Sequence, residues 1–227
     1  MKIKNGLFSG IILGAVVLLA TCQPQVEEQE KDKDNKKDAD KAKIAVLVDE
    51  GFQDTEAYMP IGYFTNKGAY VKVIGPETGE VKAYNSDFTI KIQKAIEDAK
   101  VDYFDALIIP GGEAPSKLRE NDAVVEFAKE FFNSGKPVAS ICHGPQVLVT
   151  AGVLEGRTST AYEEVKEEIE EAGGTFEDDS LVVDKNYISS RVPKDLPYFC
   201  KALEDKLNEE GLLKKADKNK DKKKKEK

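Results

Sequence analysis

Short apolar runs alternate along the chain with stretches whose apolar residues recur at helical spacing. The runs predict buried strands, because a parallel strand covered on both faces is apolar throughout. The predicted strands are residues 44–48, 70–74, 106–109 and 137–141, and then a pair at 181–183 and 187–190. The predicted helices are residues 54–67, 122–133, 144–151, 162–172 and 195–208, and residues 81–92 are predicted to be extended.

This order of elements predicts an α/β fold. Strands separated by helices imply right-handed crossovers and a mostly parallel sheet with helices on both faces. In such sheets the ligand site lies beyond the carboxyl ends of the strands. Three segments reach that edge: residues 49–56, 110–115 and 142–145.

The composition supports one globular domain and excludes several kinds of site. The chain has 227 residues, 40% of them hydrophobic and 33% charged, and its formal net charge is -8. Nucleic acid is therefore not an expected partner, since nucleic-acid binders usually carry a basic surface. His143 is the only histidine, and Cys22, Cys142 and Cys200 are the three cysteines. A multi-histidine metal site and a C-x-x-C motif are thus excluded, and no metal or organic cofactor is expected.

The start of the chain predicts export. Lys2 and Lys4 precede an apolar stretch at residues 6–20, which is typical of a secretory signal peptide and short for a membrane span. Leu-Ala-Thr-Cys at residues 19–22 resembles a bacterial lipobox, in which Cys22 is lipidated, although Thr21 departs from the preferred Gly or Ala. The alternative is a plain signal peptide or an uncleaved anchor helix. We expect a membrane-anchored lipoprotein whose domain lies on the periplasmic or extracellular face.

Charged segments flank the predicted domain, which spans residues 44–213. Residues 1–22 are the predicted signal peptide, and residues 23–43 contain almost no apolar side chains, which predicts a flexible tether. Residues 214–227 form a lysine-rich tail that is expected to be solvated and disordered. A weak attraction of this tail to anionic lipid is the alternative.

Cys142 is the strongest candidate for chemistry. It stands between a predicted strand and a predicted helix, where a sharp turn can expose a side chain as in the nucleophile elbow of hydrolases. The helix N-terminus is expected to lower the pKa of the Cys142 thiol. Backbone N–H groups of Gly111, Gly112 and His143 are candidates for holding an oxyanion. The alternative is an inert buried thiol, which is our interpretation of Cys200.

Five stretches carry a family resemblance that extends from residue 43 to about residue 207. They are KIAVLVDEGFQDTE (43–56), FDALIIPGG (104–112), GKPVASICHGPQVL (135–148), AGVLEGR (151–157) and ISSRVP (188–193). In these stretches the chain resembles the DJ-1/PfpI superfamily, and its PfpI branch above all. The resemblance implies a flavodoxin-like three-layer sandwich with Cys142 as the nucleophile.

The resemblance also implies roles for residues around the thiol. Glu56 is expected to touch the thiol as a protonated carboxyl donor, with its pKa raised by desolvation; the alternative is an acid that serves only the helix dipole. Tyr162 and Arg191 match family positions that border the site. Their alternatives are a packed aromatic ring and a surface ion pair. His143 is a candidate for proton transfer.

Two departures from the family concern acidic residues. Gln53 occupies a position in the first helix turn that is usually acidic. Archaeal PfpI-type proteases are expected to complete a Cys-His-Glu triad across the subunit interface of a homo-oligomer, but the position of that glutamate is Ser116 here. Glu113 is the nearest acid on the same loop and is a candidate substitute. The departure puts strong peptidase activity in doubt.

Three functions are consistent with these residues. The first is a glyoxalase or deglycase, in which Cys142 attacks a small carbonyl compound or its protein adduct while Glu56 or His143 moves the proton. The second is an oligomeric cysteine peptidase that acts on proteins or peptides. The third is a redox-sensing or chaperone-like stress protein that is not an enzyme, because a thiol of low pKa is readily oxidised to sulfinic acid and a nearby protonated carboxyl group can stabilise that product.

Overall fold

The computed structural model describes residues 41–213, which form an α/β fold with the predicted alternation of strands and helices. The strands are β1 (Lys43–Leu47), β2 (Tyr70–Gly75), β3 (Gly79–Lys82), β4 (Thr89–Ile92), β5 (Lys94–Ala95), β6 (Ala106–Ile109), β7 (Val138–Ile141), β8 (Thr158–Ser159), β9 (Thr175–Phe176), β10 (Val182–Asp184) and β11 (Tyr187–Ser190). The helices are α1 (Asp54–Asn66), α2 (Ala114–Leu118), α3 (Asp122–Asn133), α4 (Pro145–Thr150), α5 (Lys166–Glu171) and α6 (Leu196–Glu209).

A seven-stranded sheet in the order β10-β11-β7-β6-β1-β2-β5 forms the centre of the molecule. Its neighbouring strands are parallel, except that β10 and β11 are antiparallel. The chain leaves β1 towards β2 on one side and returns to β6 on the other. This reversal opens a crevice beyond the carboxyl ends of β1 and β6, where ligands bind in doubly wound sheets.

The central strands lie in the core, with helices on both faces of the sheet. Every residue of β6 and β7 is buried, as the continuous apolar pattern predicted for a sheet covered on both faces. Helix α1 packs against α6, while α4 packs against α2 and α3. The predicted flavodoxin-like three-layer sandwich is therefore confirmed.

The structure differs from the predicted elements mainly in short segments. The stretch predicted to be extended, residues 81–92, forms most of a hairpin in which β3, beginning two residues earlier at Gly79, pairs with β4. The helix predicted for residues 162–172 is instead a 3-10 turn, Glu163–Val165, followed by α5. Strands β5, β8 and β9 and helix α2 were not predicted, because segments of two to five residues contain no full period of the apolar pattern.

The predicted signal peptide, Cys22, most of the tether and the lysine-rich tail lie outside the described residues. Within residues 41–213, no helix combines the length and apolar character needed to cross a membrane.

Candidate functional site

Cys142 stands on a sharp turn between β7 and α4. Its φ of 61° lies in the left-handed region that side chains other than glycine rarely adopt. Its N–H donates to the carbonyl of Ser190 at 3.1 Å and its carbonyl accepts from Tyr162 N–H at 3.0 Å, so both backbone groups are anchored. A Cβ on Gly144 would lie 2.3 Å from the carbonyl oxygen of Ile109, so only glycine allows the chain to turn this closely to β6. The thiol is consequently held at the carboxyl edge of the sheet.

Glu56 in the first turn of α1 carries a fully buried carboxyl group beside the thiol. Its Oε2 accepts the N–H of Gly111 at 2.8 Å. Its Oε1 is buried and has no hydrogen-bond partner of normal length and angle among residues 41–213. Burial raises the pKa of Glu56 to about 7, against the hydrogen bonds from Gly111 and Cys142 that lower it. The carboxyl group therefore gains its proton at a pH well above the usual range of a glutamate.

The pKa of Cys142 corrects a prediction from the sequence. Burial of the thiol, followed by the nearby charge of Glu56, raises its pKa to about 12, whereas hydrogen bonds from the Gly112 and His143 backbone act in the opposite direction. The predicted lowering relied on a helix dipole, but α4 has only six residues and desolvation outweighs it. Because the carboxyl group and the thiol share one buried space, the thiolate forms most readily when Glu56 is neutral.

The backbone donors around the thiol differ in one respect from the prediction. The N–H groups of Gly112 and His143 donate towards Sγ of Cys142. The N–H of Gly111 does not serve an oxyanion, because Glu56 already occupies it. A Cβ on Gly111 would lie 2.6 Å from Cβ of Cys142 and 2.8 Å from Oε2 of Glu56, so this glycine lets the two functional groups meet.

His143 contacts the thiol on one side and a carboxylate on the other. Its Nδ1 lies 3.4 Å from Sγ of Cys142. Its Nε2 lies 3.6 Å from Oε2 of Glu164 on the 3-10 turn before α5. The ring also rests against Tyr162, with centroids 5.1 Å apart. A thiol, an imidazole and a carboxylate thus follow one another within a single chain.

These groups open into a cavity of about 530 Å³. That volume suits a small molecule or one extended side chain. The cavity is lined by Gln53, Glu56, Tyr84, Gly112, Glu113, Ser116, Cys142, His143, Gln146, Tyr162, Glu164, Val192 and Pro193. Among residues 41–213, no group of three or more His, Cys, Asp or Glu side chains could hold a metal ion.

The other predicted site residues line the cavity or lie in a hollow beside it. Gln53 caps α1 by accepting the N–H of Glu56 through its side chain at 2.6 Å, so this departure from the family serves the carboxyl group's helix. Glu113 lines the cavity, and Ser116 donates to the carbonyl of Glu113 at 2.7 Å. Arg191 lies in an adjoining hollow that shares Tyr162 with the cavity, and it binds Asp178 and Asp195 at 2.7 and 3.0 Å.

Five residues that line the cavity were not predicted as site residues: Tyr84, Gln146, Glu164, Val192 and Pro193. Tyr84 and Glu164 lie on segments that the sequence showed only as an extended stretch or a helix, whereas the other three lie in stretches that carry the family resemblance. Glu164 follows two positions after Tyr162, so the assignment of Tyr162 to the border of the site was the one signal that pointed to it.

Comparison with known proteins gives a consistent result. A model of the DJ-1/PfpI family matches residues 42–206. Protein/nucleic acid deglycase 2 of Escherichia coli is 42% identical over 159 residues, which is 69% of this chain and 92% of the relative. A Bacillus subtilis protein, YraA, whose name provisionally describes a cysteine protease, is 41% identical over 157 residues, which is 69% of this chain and 93% of the relative.

A solved structure shows the same fold. A two-domain protein of Anabaena variabilis, with DJ-1/ThiJ/PfpI-like and ferritin-like domains, superimposes with a TM-score of 0.73 at 35% sequence identity. The match covers 77% of this chain and 50% of the other.

Proposed function

The chain belongs to the DJ-1/PfpI family, and from this premise we propose that it is a cysteine-dependent enzyme acting on reactive carbonyl compounds or on their protein adducts. The observation that carries the proposal is the position of Cys142. Its side chain faces an open cavity from a strained elbow, with the protonatable carboxyl group of Glu56 and the ring of His143 beside it.

The proposed reaction begins with addition to an aldehyde such as methylglyoxal. Sγ of Cys142 forms a bond to the aldehyde carbon as the π bond of the carbonyl group breaks, and the thiol proton moves to His143 or to the ionised form of Glu56. The same group then passes the proton to the former carbonyl oxygen, which gives a hemithioacetal. A proton then moves from the former aldehyde carbon to the neighbouring ketone carbon, and the hydroxyl proton moves to the ketone oxygen. Together these two transfers convert the hemithioacetal into a thioester of lactate. Water cleaves the thioester and releases lactate and the free thiol, so no outside oxidant or reductant is consumed.

Each of these steps has a matching group in the cavity. Glu56 exchanges a proton near neutral pH because burial raises its pKa to about 7. The N–H groups of Gly112 and His143, which point towards Sγ, would stabilise the negative charge of an adjacent oxygen. The cavity leaves room for an adduct on an exposed arginine or lysine side chain of a protein.

The test is methylglyoxal consumption with lactate formation by residues from about Lys41 onward. Cys142→Ala is expected to abolish lactate formation, and Cys200→Ala is the matched control, because Cys200 is buried in α6 with no role in the cavity. Equal lactate formation by the wild type and Cys142→Ala would overturn the proposal. Peptide hydrolysis or redox sensing would then be the remaining functions.

A second candidate function is a cysteine peptidase. The contact between His143 and Glu164 favours it, because an imidazole held by a carboxylate is the usual activator of a thiol for attack on an amide. Hydrolysis of a fluorogenic peptide library, with loss in Cys142→Ala, would support this candidate. Complete absence of amide cleavage alongside lactate formation would exclude it.

We also propose that Cys22 anchors the chain to a membrane as a lipoprotein, with the domain exported. Support comes from the residues themselves: the basic start, the apolar stretch at 6–20 and the lipobox-like Leu-Ala-Thr-Cys.

A further inference from the structure

We propose that Glu164 is a positioning residue for His143, so that a complete Cys-His-Glu arrangement is built within one chain. The inference rests on the proposed function insofar as Cys142 is the reacting group. It goes beyond that function because it assigns a role to a residue outside the sequence motifs, and because the site would then need no residue from a second subunit.

The side chains of Cys142, His143 and Glu164 lie next to one another in a row. Sγ of Cys142 and Nδ1 of His143 are 3.4 Å apart, and Nε2 on the far side of the same ring lies 3.6 Å from Oε2 of Glu164. Tyr162, two residues before Glu164, donates its N–H to the carbonyl of Cys142 at 3.0 Å and places its ring against His143. One short segment therefore holds the elbow through Tyr162 and carries the carboxylate of Glu164.

The two candidate positions on the loop after β6 do not fill this role. Glu113 lines the cavity, but its carboxylate forms no ion pair with His143 in the described part of the chain, and Ser116 is engaged with the carbonyl of Glu113. Among residues 41–213, the carboxylate that pairs with His143 is that of Glu164. The acidic partner thus comes from the segment before α5 and not from the loop on which the sequence suggested it.

A carboxylate at this place orients the ring. It favours the tautomer with hydrogen on Nε2, which leaves Nδ1 free to accept the thiol proton. The side chain of Glu164 is 74% exposed and that of His143 is 25% exposed, so solvent and salt weaken the attraction. The expected effect is consequently modest in size and sensitive to ionic strength.

The experiment measures alkylation of Cys142 by iodoacetamide, which reports thiol activation without any substrate. Sγ displaces iodide from the CH₂ carbon, and the thiol proton goes to His143. We expect Glu164→Gln to slow alkylation about two- to fivefold at low ionic strength, the range typical of an exposed ion pair. At about 1 M salt, where screening reaches roughly 3 Å, the difference from the wild type should largely disappear. Lactate formation should show the same loss in kcat with little change in KM.

Two controls separate positioning from a general surface effect. Glu163→Gln removes the neighbouring acid, which lines the adjoining hollow, and should leave the alkylation rate unchanged. In a His143→Ala background, Glu164→Gln should have no further effect, because Glu164 acts through the ring. The inference is overturned if Glu164→Gln behaves like Glu163→Gln, or if its effect persists without His143. Lactate formation that survives Cys142→Ala would instead count against the proposed function and leave the alkylation result standing.

Discussion

Cys142 holds a backbone conformation that costs free energy for any residue with a side chain. A left-handed conformation such as its φ of 61° costs about 1–2 kcal/mol relative to a relaxed backbone. The cost is tolerated because hydrogen bonds to Ser190 and Tyr162 hold the turn from both sides. Strain of this kind is typical of functional positions, where it fixes the direction of a side chain.

The backbone strain predicts that glycine is more stabilising than alanine at residue 142, which is the reverse of the order expected inside a helix. Cys142→Gly should be more stable to urea than Cys142→Ala by about 1 kcal/mol, because glycine adopts positive φ without steric cost. Gly62 in α1 is the matched control, since its surroundings are open and its φ is not positive. There Gly62→Ala should add up to about 1 kcal/mol of stability through helix propensity. An alanine variant at 142 at least as stable as the glycine variant would contradict the strain.

Glu56 couples protonation to folding. Its pKa in the folded protein is about 7, raised from 4.5 by burial, so folding favours the protonated form. A raised carboxyl pKa gives stability that is present below the unfolded value and is lost as pH rises through the folded value. The protein should therefore lose stability between about pH 4.5 and pH 7, by up to ~3 kcal/mol at 1.36 kcal/mol per pKa unit.

Glu56→Gln tests this coupling. The amide keeps an acceptor for the Gly111 N–H and cannot ionise, so the variant should be more stable than the wild type at pH 8 and similar to it at pH 5. Thermal unfolding at the two pH values measures the difference. The same variant should lose most lactate formation if Glu56 moves a proton. Parallel stability curves for the two proteins across this range would show that the carboxyl group is not desolvated.

Local sequence singled out Cys142 as the candidate for chemistry, but it predicted the wrong direction for the pKa of the thiol. The strand-to-helix position, the neighbouring His143 and the Gly-Gly loop together supported that choice of residue. The direction of the pKa could not be predicted, because desolvation and the charge of Glu56 depend on packing between residues far apart in the chain. Glu164 was missed for the same reason: a glutamate in an acidic helix-like stretch resembles any solvated residue until the fold brings it to His143.

At the scale of elements, the loops after β1, β6 and β7 meet at Gly111. Its own N–H donates to Glu56. A Cβ added to Gly111 would lie within 2.8 Å of atoms of Cys142, Glu56 and the backbone of His143. The close approach of these three loops therefore requires that residue 111 has no side chain.

Gly111→Ala should separate these loops. The added methyl group overlaps Cβ of Cys142 and backbone atoms of the next loop, so we expect a loss of about 3 kcal/mol in stability and of nearly all Cys142 reactivity. Urea unfolding and iodoacetamide alkylation measure the two effects. Gly62→Ala, which meets open space, is the control for glycine replacement itself. A Gly111→Ala variant with normal alkylation would show that the loops can move apart freely.

The sequence predicted the larger elements because they contain enough residues to show a period. Strand β6 coincides with the predicted residues 106–109, and helix α3 with residues 122–133. The edge strand β5 and the small pair β8 and β9 have two residues each. Tertiary contacts determine how these short strands pair, and such contacts produce no hydrophobic period in the amino-acid sequence.

At the scale of the whole molecule, the candidate site and the proposed anchor lie in separate parts of the chain. The cavity is built entirely from residues 53–193, whereas the proposed lipid attachment is at Cys22. Chemistry and membrane attachment should consequently be separable by substitution.

Cys22→Ser tests the anchor. In a bacterial host fed a labelled fatty acid, the full chain should incorporate label and sediment with membranes, because a buried acyl chain contributes about 0.8 kcal/mol per CH₂ group. Cys22→Ser should carry no label, while Cys142→Ala, which is equally one thiol short, should keep it. Membrane attachment without label would instead indicate an uncleaved anchor helix, and a full chain in the soluble fraction without label would contradict the lipoprotein proposal. Since the cavity does not involve Cys22, lactate formation by the purified Cys22→Ser protein should equal that of the wild type.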